Sequence, residues 1–286
     1  MSVQVPVAFV QQYSANVMHL VQQKGSRLRG AVRIEPVNGE FAYFDQIGAV
    51  AAVESVSRHE DTPLMETPHS RRQVSLRDFK WADLIDKADR VRLLTDPAGH
   101  YTMAAVNAMG RAMDTVIINA ATGAAKTGKT GATSVALPAG QKIAVAASGM
   151  TLAKLLAAKE IMDAAENDPD EERYIALPAK DVTVLLNTTE IKSSDYNTVK
   201  ALAAGQIDTF LGFKFLRTQR LNLDASGDRQ CFAWRKSGLL LAVGEDIQID
   251  VGPRRDKSLS TQVYVCMTLD ATRMEEEAVV EIATTP

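Results

Sequence analysis

The sequence is poor in the residues that most chemistry needs. Its 286 residues include two cysteines and four histidines. Two thiols exclude a cysteine metal cage and allow at most one disulfide. Cys231 and Cys266 both lie in apolar, strand-like runs, where free buried thiols are the expectation. His19, His59, His69 and His100 have no histidine or cysteine three or four residues away, so zinc or iron spacing is missing. There is no G-x-S-x-G and no histidine close to either cysteine, which leaves no nucleophile signature. No apolar run approaches the roughly 18–20 residues of a membrane span, and no charged-then-apolar leader opens the chain. A soluble protein, made and kept inside a cell, is expected. Neither charge sign dominates: 32 basic against 35 acidic side chains leave −3. That balance argues against a dedicated nucleic-acid binder, which needs a concentrated basic surface.

What is present is enough for a core. The chain is 46% hydrophobic and 23% charged, at a length suited to one large domain or two ordinary ones. Two local absences organise its front end. Met1 to Arg33 has no acidic residue, while Lys24, Arg27, Arg29 and Arg33 are basic. Its apolar residues are too sparse to enclose a core, so it reads as an arm seeking a surface on this chain or another copy. The opposite end is acidic, with Glu275, Glu276, Glu277 and Glu281, either solvated or available for steering between copies. The second absence is lysine between Phe41 and Phe79. That stretch reads as two long strands around a broad, proline-containing tip, with Val74 and Leu76 on one face. A hairpin of that length is marginal alone and is expected to rest on a neighbouring subunit.

The clearest helix follows. Asp96 as cap and Pro97 in the first turn predict a start there, and Gly123 predicts the stop. Tyr101, Ala105, Met109, Ala112, Met113, Val116 and Ile117 recur at helical spacing, and Gly110 permits close packing against a sheet or helix. A second helix is expected over 151–166. Strands are expected at 174–177, 182–186, 210–218, 230–236, 246–252, 261–269 and 278–284, with a short helix at 198–204. The fold class is therefore α+β. Phe213 and Phe215 are expected in the core, with Lys214 on the opposite face.

The sharpest local motif, GAAKTGKT at Gly123–Thr130, fits the phosphate-binding loop letter for letter, with Lys129 and Thr130 in the working positions. Such a loop needs a strand before it and a helix after it. Here a long helix precedes, and GATSVALPAG, which follows, is no helix former. A flexible loop leaving a helix is the expected form, and a P-loop nucleotide hydrolase is the alternative from another class. The carboxylates Asp168, Asp170, Glu171 and Glu172 read as a solvated helix exit rather than an acid/base pair. No catalytic, cofactor or metal residue is assigned. Arg71 and Arg72, like Arg27, Arg29 and Arg33, are expected to pair with carboxylates across subunit contacts.

The order of these features, together with DPAGHYTMAAVNAMGRAMDTVIINAATG, SSDYNTVKALAAGQIDTFLGFKFLRTQRL and the long stretch from Gly238 to Ile282, resembles the major capsid proteins of tailed bacteriophages, which have the HK97-type fold. The resemblance covers nearly the whole chain. It implies an N-terminal arm at 1–38, an extended loop at 39–79, a peripheral domain at 80–175 with a spine helix at 96–122, an axial domain at 176–235, and a return to the peripheral sheet at 236–286. It also implies no enzyme and no cofactor. The expected product is an icosahedral shell of pentamers and hexamers around phage dsDNA, assembled in the host bacterial cytoplasm. A portal protein, a separate scaffolding protein and DNA met without sequence reading are the implied partners. One branch of the family welds its shell through a lysine on the extended loop, and the missing lysine argues against that here. About 40 residues precede the extended loop, too few for a cleavable scaffolding segment. An encapsulin-like compartment is the alternative within the fold.

Overall fold

The computed structural model describes residues 22–54, 61, 64–86, 98–165, 170–187 and 209–285. The expected cap at Asp96 and Pro97, the short helix at 198–204, and residues 1–21 lie outside the described residues. The front of the chain gives β1 (Arg33–Pro36), β2 (Phe41–Ile47), β3 (His69–Ser75) and β4 (Arg77–Ile85). The long helix α1 (Ala98–Thr122) follows, then the short strands β5 (Ala125–Thr127), β6 (Thr133–Val135) and β7 (Lys142–Ile143). The remainder is α2 (Leu152–Ala164), β8 (Arg173–Leu177), α3 (Ala179–Leu186), β9 (Thr209–Phe210), β10 (Phe213–Arg217), β11 (Arg229–Arg235), β12 (Leu239–Arg254), β13 (Ser260–Arg273) and β14 (Val279–Thr284).

Three sheets result. A four-stranded sheet runs β1-β12-β13-β4, with β1 parallel to β12 and the rest antiparallel. The mixed six-stranded sheet runs β7-β14-β11-β8-β10-β9. The third, β2-β3-β5-β6, is antiparallel throughout. Helix α1 packs along β13 and β12. Its buried side chains Ala105, Met109, Met113, Val116, Ile117 and Ala121 meet Val265, Met267 and Leu269 in one core, as the helical spacing requires. Under the six-stranded sheet, Trp234 lies 4.8 Å from Phe232 and 5.8 Å from Tyr174, ring centre to ring centre.

Several expectations are corrected here. Residues 182–186, expected as a strand, belong to α3. The β-branched Val182, Thr183 and Val184 mimic a strand, but Pro178 stands at the N-cap, Asp181 sits in the first turn, and Val182 and Leu185 bury at helical spacing. β14 does not return with β12 and β13. It joins the six-stranded sheet between β7 and β11, so that sheet draws strands from both sides of the expected 176–235 division, which cuts through β8. Phe79, expected to end the extended loop, pairs with Met267 inside the first sheet. Cys231 is buried and Cys266 half-buried, both as free thiols. Burial pushes the Cys231 thiol far up, so it behaves as a small apolar residue.

Candidate assembly surfaces

The arm is not unsupported. Helix α1 carries Asn107, Gly110, Arg111 and Asp114 on one face, and residues 22–28 lie along that face. Asp114, fully buried, accepts hydrogen bonds from Gln23 Nε2 and Ser26 Oγ at 2.5 Å and from the backbone N–H groups of Arg27 and Leu28 at 3.1 Å. Asn107 Oδ1 accepts from the Gly25 N–H at 3.1 Å, and Arg111 donates to Gln22 Oε1 and the Gln23 carbonyl. Gly110 is what lets the two backbones meet: a Cβ there would lie 2.4 Å from the Gly25 carbonyl carbon. Gly25 itself sits at φ +64, which glycine accepts without strain. Leu28, Ala31 and Val32 then bury in the main core, and Trp234 Nε1 donates to the Ala31 carbonyl at 2.8 Å. Gly110 thus packs against the arm rather than against a sheet or helix.

The hairpin β2–β3 is held on one side. Phe44, Val74 and Leu76 pack against Leu240, Ala242 and Met274, and Gln46 Nε2 donates to the Met274 carbonyl at 2.7 Å. The other side is bare: Phe41, Tyr43 and Ile47 are 46%, 42% and 69% exposed. Beyond the strands Val50, Val53, Leu64 and Met65 are also exposed, Leu64 at 95%. A cleft of about 550 Å³ opens between the hairpin and the body, lined by Gln46, Ser70, Arg72, Arg235 and Glu275–Glu277.

All five arginines expected at subunit contacts have partners on their own chain. Arg27 Nη1 donates to the Arg217 carbonyl at 2.8 Å, and Arg29 pairs with Asp246 at 2.5 Å. Arg33 pairs with Glu35 at 2.7 Å, and Arg71 with Asp45 at 2.5 Å while lying 5.4 Å above the Tyr43 ring. Arg72 is 6% exposed, with Nη2 at 2.6 Å from Glu276 and Nε donating to the Met274 carbonyl at 2.8 Å. Its donors are used inside the chain, where they form an internal tie. The acidic end is likewise engaged: Glu275 pairs with Arg235, Glu276 with Arg72, and Glu281 with Lys142. Glu171 accepts from Ser237 N and Oγ, and Glu172 accepts from Tyr174 and Lys214, so these carboxylates tie the chain together rather than only solvating a helix exit.

The phosphate-loop motif takes a form that phosphate binding does not use. Gly123 ends α1, its N–H donating to the Asn119 carbonyl at 2.9 Å, and the next residues form the β5–β6 hairpin. Lys129 and Thr130 stand exposed in its turn, between Gly128 at φ +92 and Gly131 at φ +68. The turn leads into β6 and not into a helix. Among the described residues, no group of three or more His, Cys, Asp or Glu side chains stands where it would hold a metal ion. No described helix is long and apolar enough to cross a membrane.

The family profile described as phage capsid protein matches residues 5–285. The chain belongs to the phage capsid protein family. It is a major capsid protein, a structural subunit of the head shell, and its place is the virion capsid. No curated protein matches it. Among solved structures, the capsid of cyanophage P-SCSP1u superposes with a TM-score of 0.75 at 16% identity, covering 96% of this chain and 93% of that one. The capsid of Ralstonia phage GP4 gives 0.71 at 9% identity, covering 96% and 94%. The capsid of cyanophage Pam1 gives 0.69 at 12%, covering 96% of each. At such identities the likeness establishes the fold, the HK97-type capsid fold.

Proposed function

We propose that this capsid protein closes into an icosahedral shell of pentamers and hexamers around dsDNA, acts without catalysis, and assembles in the host cytoplasm. The observation that carries the reading is the hairpin with one face seated on its own body and the other leaving Phe41, Tyr43 and Ile47 exposed around the Arg71–Asp45 pair. A stable monomer has no use for a projecting ribbon that exposes Phe41, Tyr43 and Ile47. Repetition of one such contact around symmetry axes covers every copy of it.

In this reading, α1 with the β1-β12-β13-β4 sheet forms the peripheral part, and the six-stranded sheet with α2 and α3 the axial part. The β2–β3 hairpin is the extended loop. Arg33 and Arg71 keep exposed guanidinium surface beside their own-chain carboxylates and remain candidates for contacts to a neighbour. Arg27 and Arg29 serve the arm first. Near-neutral charge suits a wall that tolerates DNA without gripping it. Scaffolding and portal proteins are the further partners that the family likeness implies. Electron microscopy of the expressed full chain, alone and with a co-expressed scaffolding protein, tests the reading. Closed shells tens of nanometres across are expected, and a homogeneous monomer under every assembly condition overturns it.

A further inference from the structure

One carboxylate stands between two buried guanidiniums where the hairpin sheet joins the body. Arg273 is fully buried in β13. Its Nη1 donates to the carbonyls of Ala121 and Gly123 at 3.1 and 2.7 Å, and its Nη2 to that of Val135 at 3.1 Å. These contacts seat the end of α1 and strand β6 on the body. Glu276 lies 3.9 Å from Arg273 Nη2 on one side and 2.6 Å from Arg72 Nη2 on the other. Arg72 belongs to β3, so the chain of contacts runs from the helix end through a single acid to the projecting hairpin.

We propose that Arg72, Glu276 and Arg273 form a clamp that sets the angle of the β2–β3 hairpin before assembly, making Arg72 and Glu276 positioning residues for shell formation. Neutralising Glu276 would remove the carboxylate between two guanidiniums, of which Arg273 is fully buried and Arg72 nearly so, and that is unfavourable even beside the cleft. The neighbours feel each other already: burial pulls the Arg273 pKa down, Glu276 pulls it up, Arg72 pulls it down, and Glu281 pulls it up by less. The two sides would not yield equally. Arg273 keeps three carbonyl acceptors on a helix end and a hairpin. Arg72 keeps one, the Met274 carbonyl, and sits on a ribbon whose pairing to β5 spans two residues, Arg72 with Thr127 and Gln73 with Lys126. The hairpin is the side that gives way.

The consequence for shells rests on the capsid reading above, while the clamp itself rests on the contacts alone. Two measurements on the full chain separate them. Amide hydrogen exchange on unassembled subunits of wild type, Glu276→Gln, Arg72→Met and the conservative Glu276→Asp reads the clamp. Exchange in β2 and β3 is expected to quicken about tenfold or more in the first two variants, unchanged in α1 and β12–β13, and largely restored by aspartate. Micrographs of the assembled variants then read its purpose, with Glu276→Gln expected to lose the uniform shell diameter of wild type. Hairpin exchange that stays at the wild-type rate, or that rises together with the body, overturns the clamp. Quickened hairpin exchange with shells of wild-type diameter overturns its role in assembly. Failure of the wild type itself to form shells strikes the capsid reading and leaves the exchange result standing.

Discussion

Residues 22–36 carry three bulky apolar side chains, Leu28, Val32 and Ile34, and the hairpin strands β2 and β3 carry five, Phe41, Tyr43, Phe44, Ile47 and Val74, yet the body holds the poorer segment more fully. The first segment is held along its length by Asp114, Asn107 and Arg111, by a glycine-to-glycine approach, and by β1 adding parallel to β12. The second is held on one face by Phe44, Val74 and Leu76, by Arg72, and by a two-residue strand pairing. Apolar content therefore does not decide whether a segment is bound. A buried acceptor that meets several otherwise orphaned N–H groups can seat an irregular segment that has almost no core of its own. The hairpin has no such acceptor on its outer side.

The largest expected effect falls on the point where arm and body share a residue. Trp234→Ala removes a fully buried indole stacked on Tyr174 and tilted against Phe232, and with it the donor to the Ala31 carbonyl. A loss of about 3–5 kcal/mol is expected, read by chemical denaturation of the subunit. Arm and body should lose protection together. If the arm stays protected while the body unfolds, Trp234 does not join the two. Asp114→Ala comes next. It strands the N–H groups of Arg27 and Leu28 and the Ser26 hydroxyl, for about 2–3 kcal/mol. Trypsin should then cut at Lys24, Arg27 and Arg29 well before it cuts β12–β13. Arm cleavage no faster than in wild type would show that Asp114 is not the anchor.

How much of this was legible in the sequence follows from what each feature depends on. The body of the spine helix and the long strands β12 and β13 declare themselves through local periodicity and stand where it put them, whereas the hairpin strands stop at Ile47 and Ser75 and Arg77–Ile85 leaves for another sheet. The failure of GAAKTGKT as a phosphate loop was also readable, because the residues on either side forbid the strand and the helix that phosphate binding needs. The arm's surface was left open between this chain and another copy, and the residues that hold it were not picked out. Their signal was present as Asn107, Gly110, Arg111 and Asp114, a polar stripe at spacings of three, one and three on an otherwise Ala/Met/Ile helix. A polar stripe reads first as a solvated face, and only the fold shows that residues 22–28 cover it. Arg72 and Glu276 are 204 positions apart, and no local pattern announces such a pair. α3 was misread because three β-branched residues in a row outvote a proline cap when burial is unknown.

The hairpin's bare face gives the third test of the contrast. Phe41→Ser with Ile47→Ser changes side chains that are about half exposed or more, so subunit stability should move by about 0.5 kcal/mol or less. Each contact between copies should instead lose about 1–2 kcal/mol of apolar burial. Because a shell repeats that contact in every copy, sedimentation should show capsomers in place of shells. Wild-type assembly by the double variant would mean that this face stays wet in the shell.

The smallest expected effect lies at the arm's outermost tie, Arg29 to Asp246 on β12. The guanidinium's hydrogen bond holds the Asp246 carboxyl below its usual value of 3.8, and folding therefore favours the ionised form. The associated stability is present above the unfolded pKa and fades as pH falls through the lower, folded one. Both side chains are at least a third exposed, 36% and 53%, so solvent screens the pair and the contribution is a few tenths of a kcal/mol. Melting wild type and Asp246→Asn side by side between about pH 5 and pH 3 should show the wild type losing slightly more. The excess should shrink in molar salt, where the Debye length is about 3 Å. A variant as acid-sensitive as the wild type would show that the arm's hold owes nothing to this pair and rests on its buried contacts and the β1–β12 pairing.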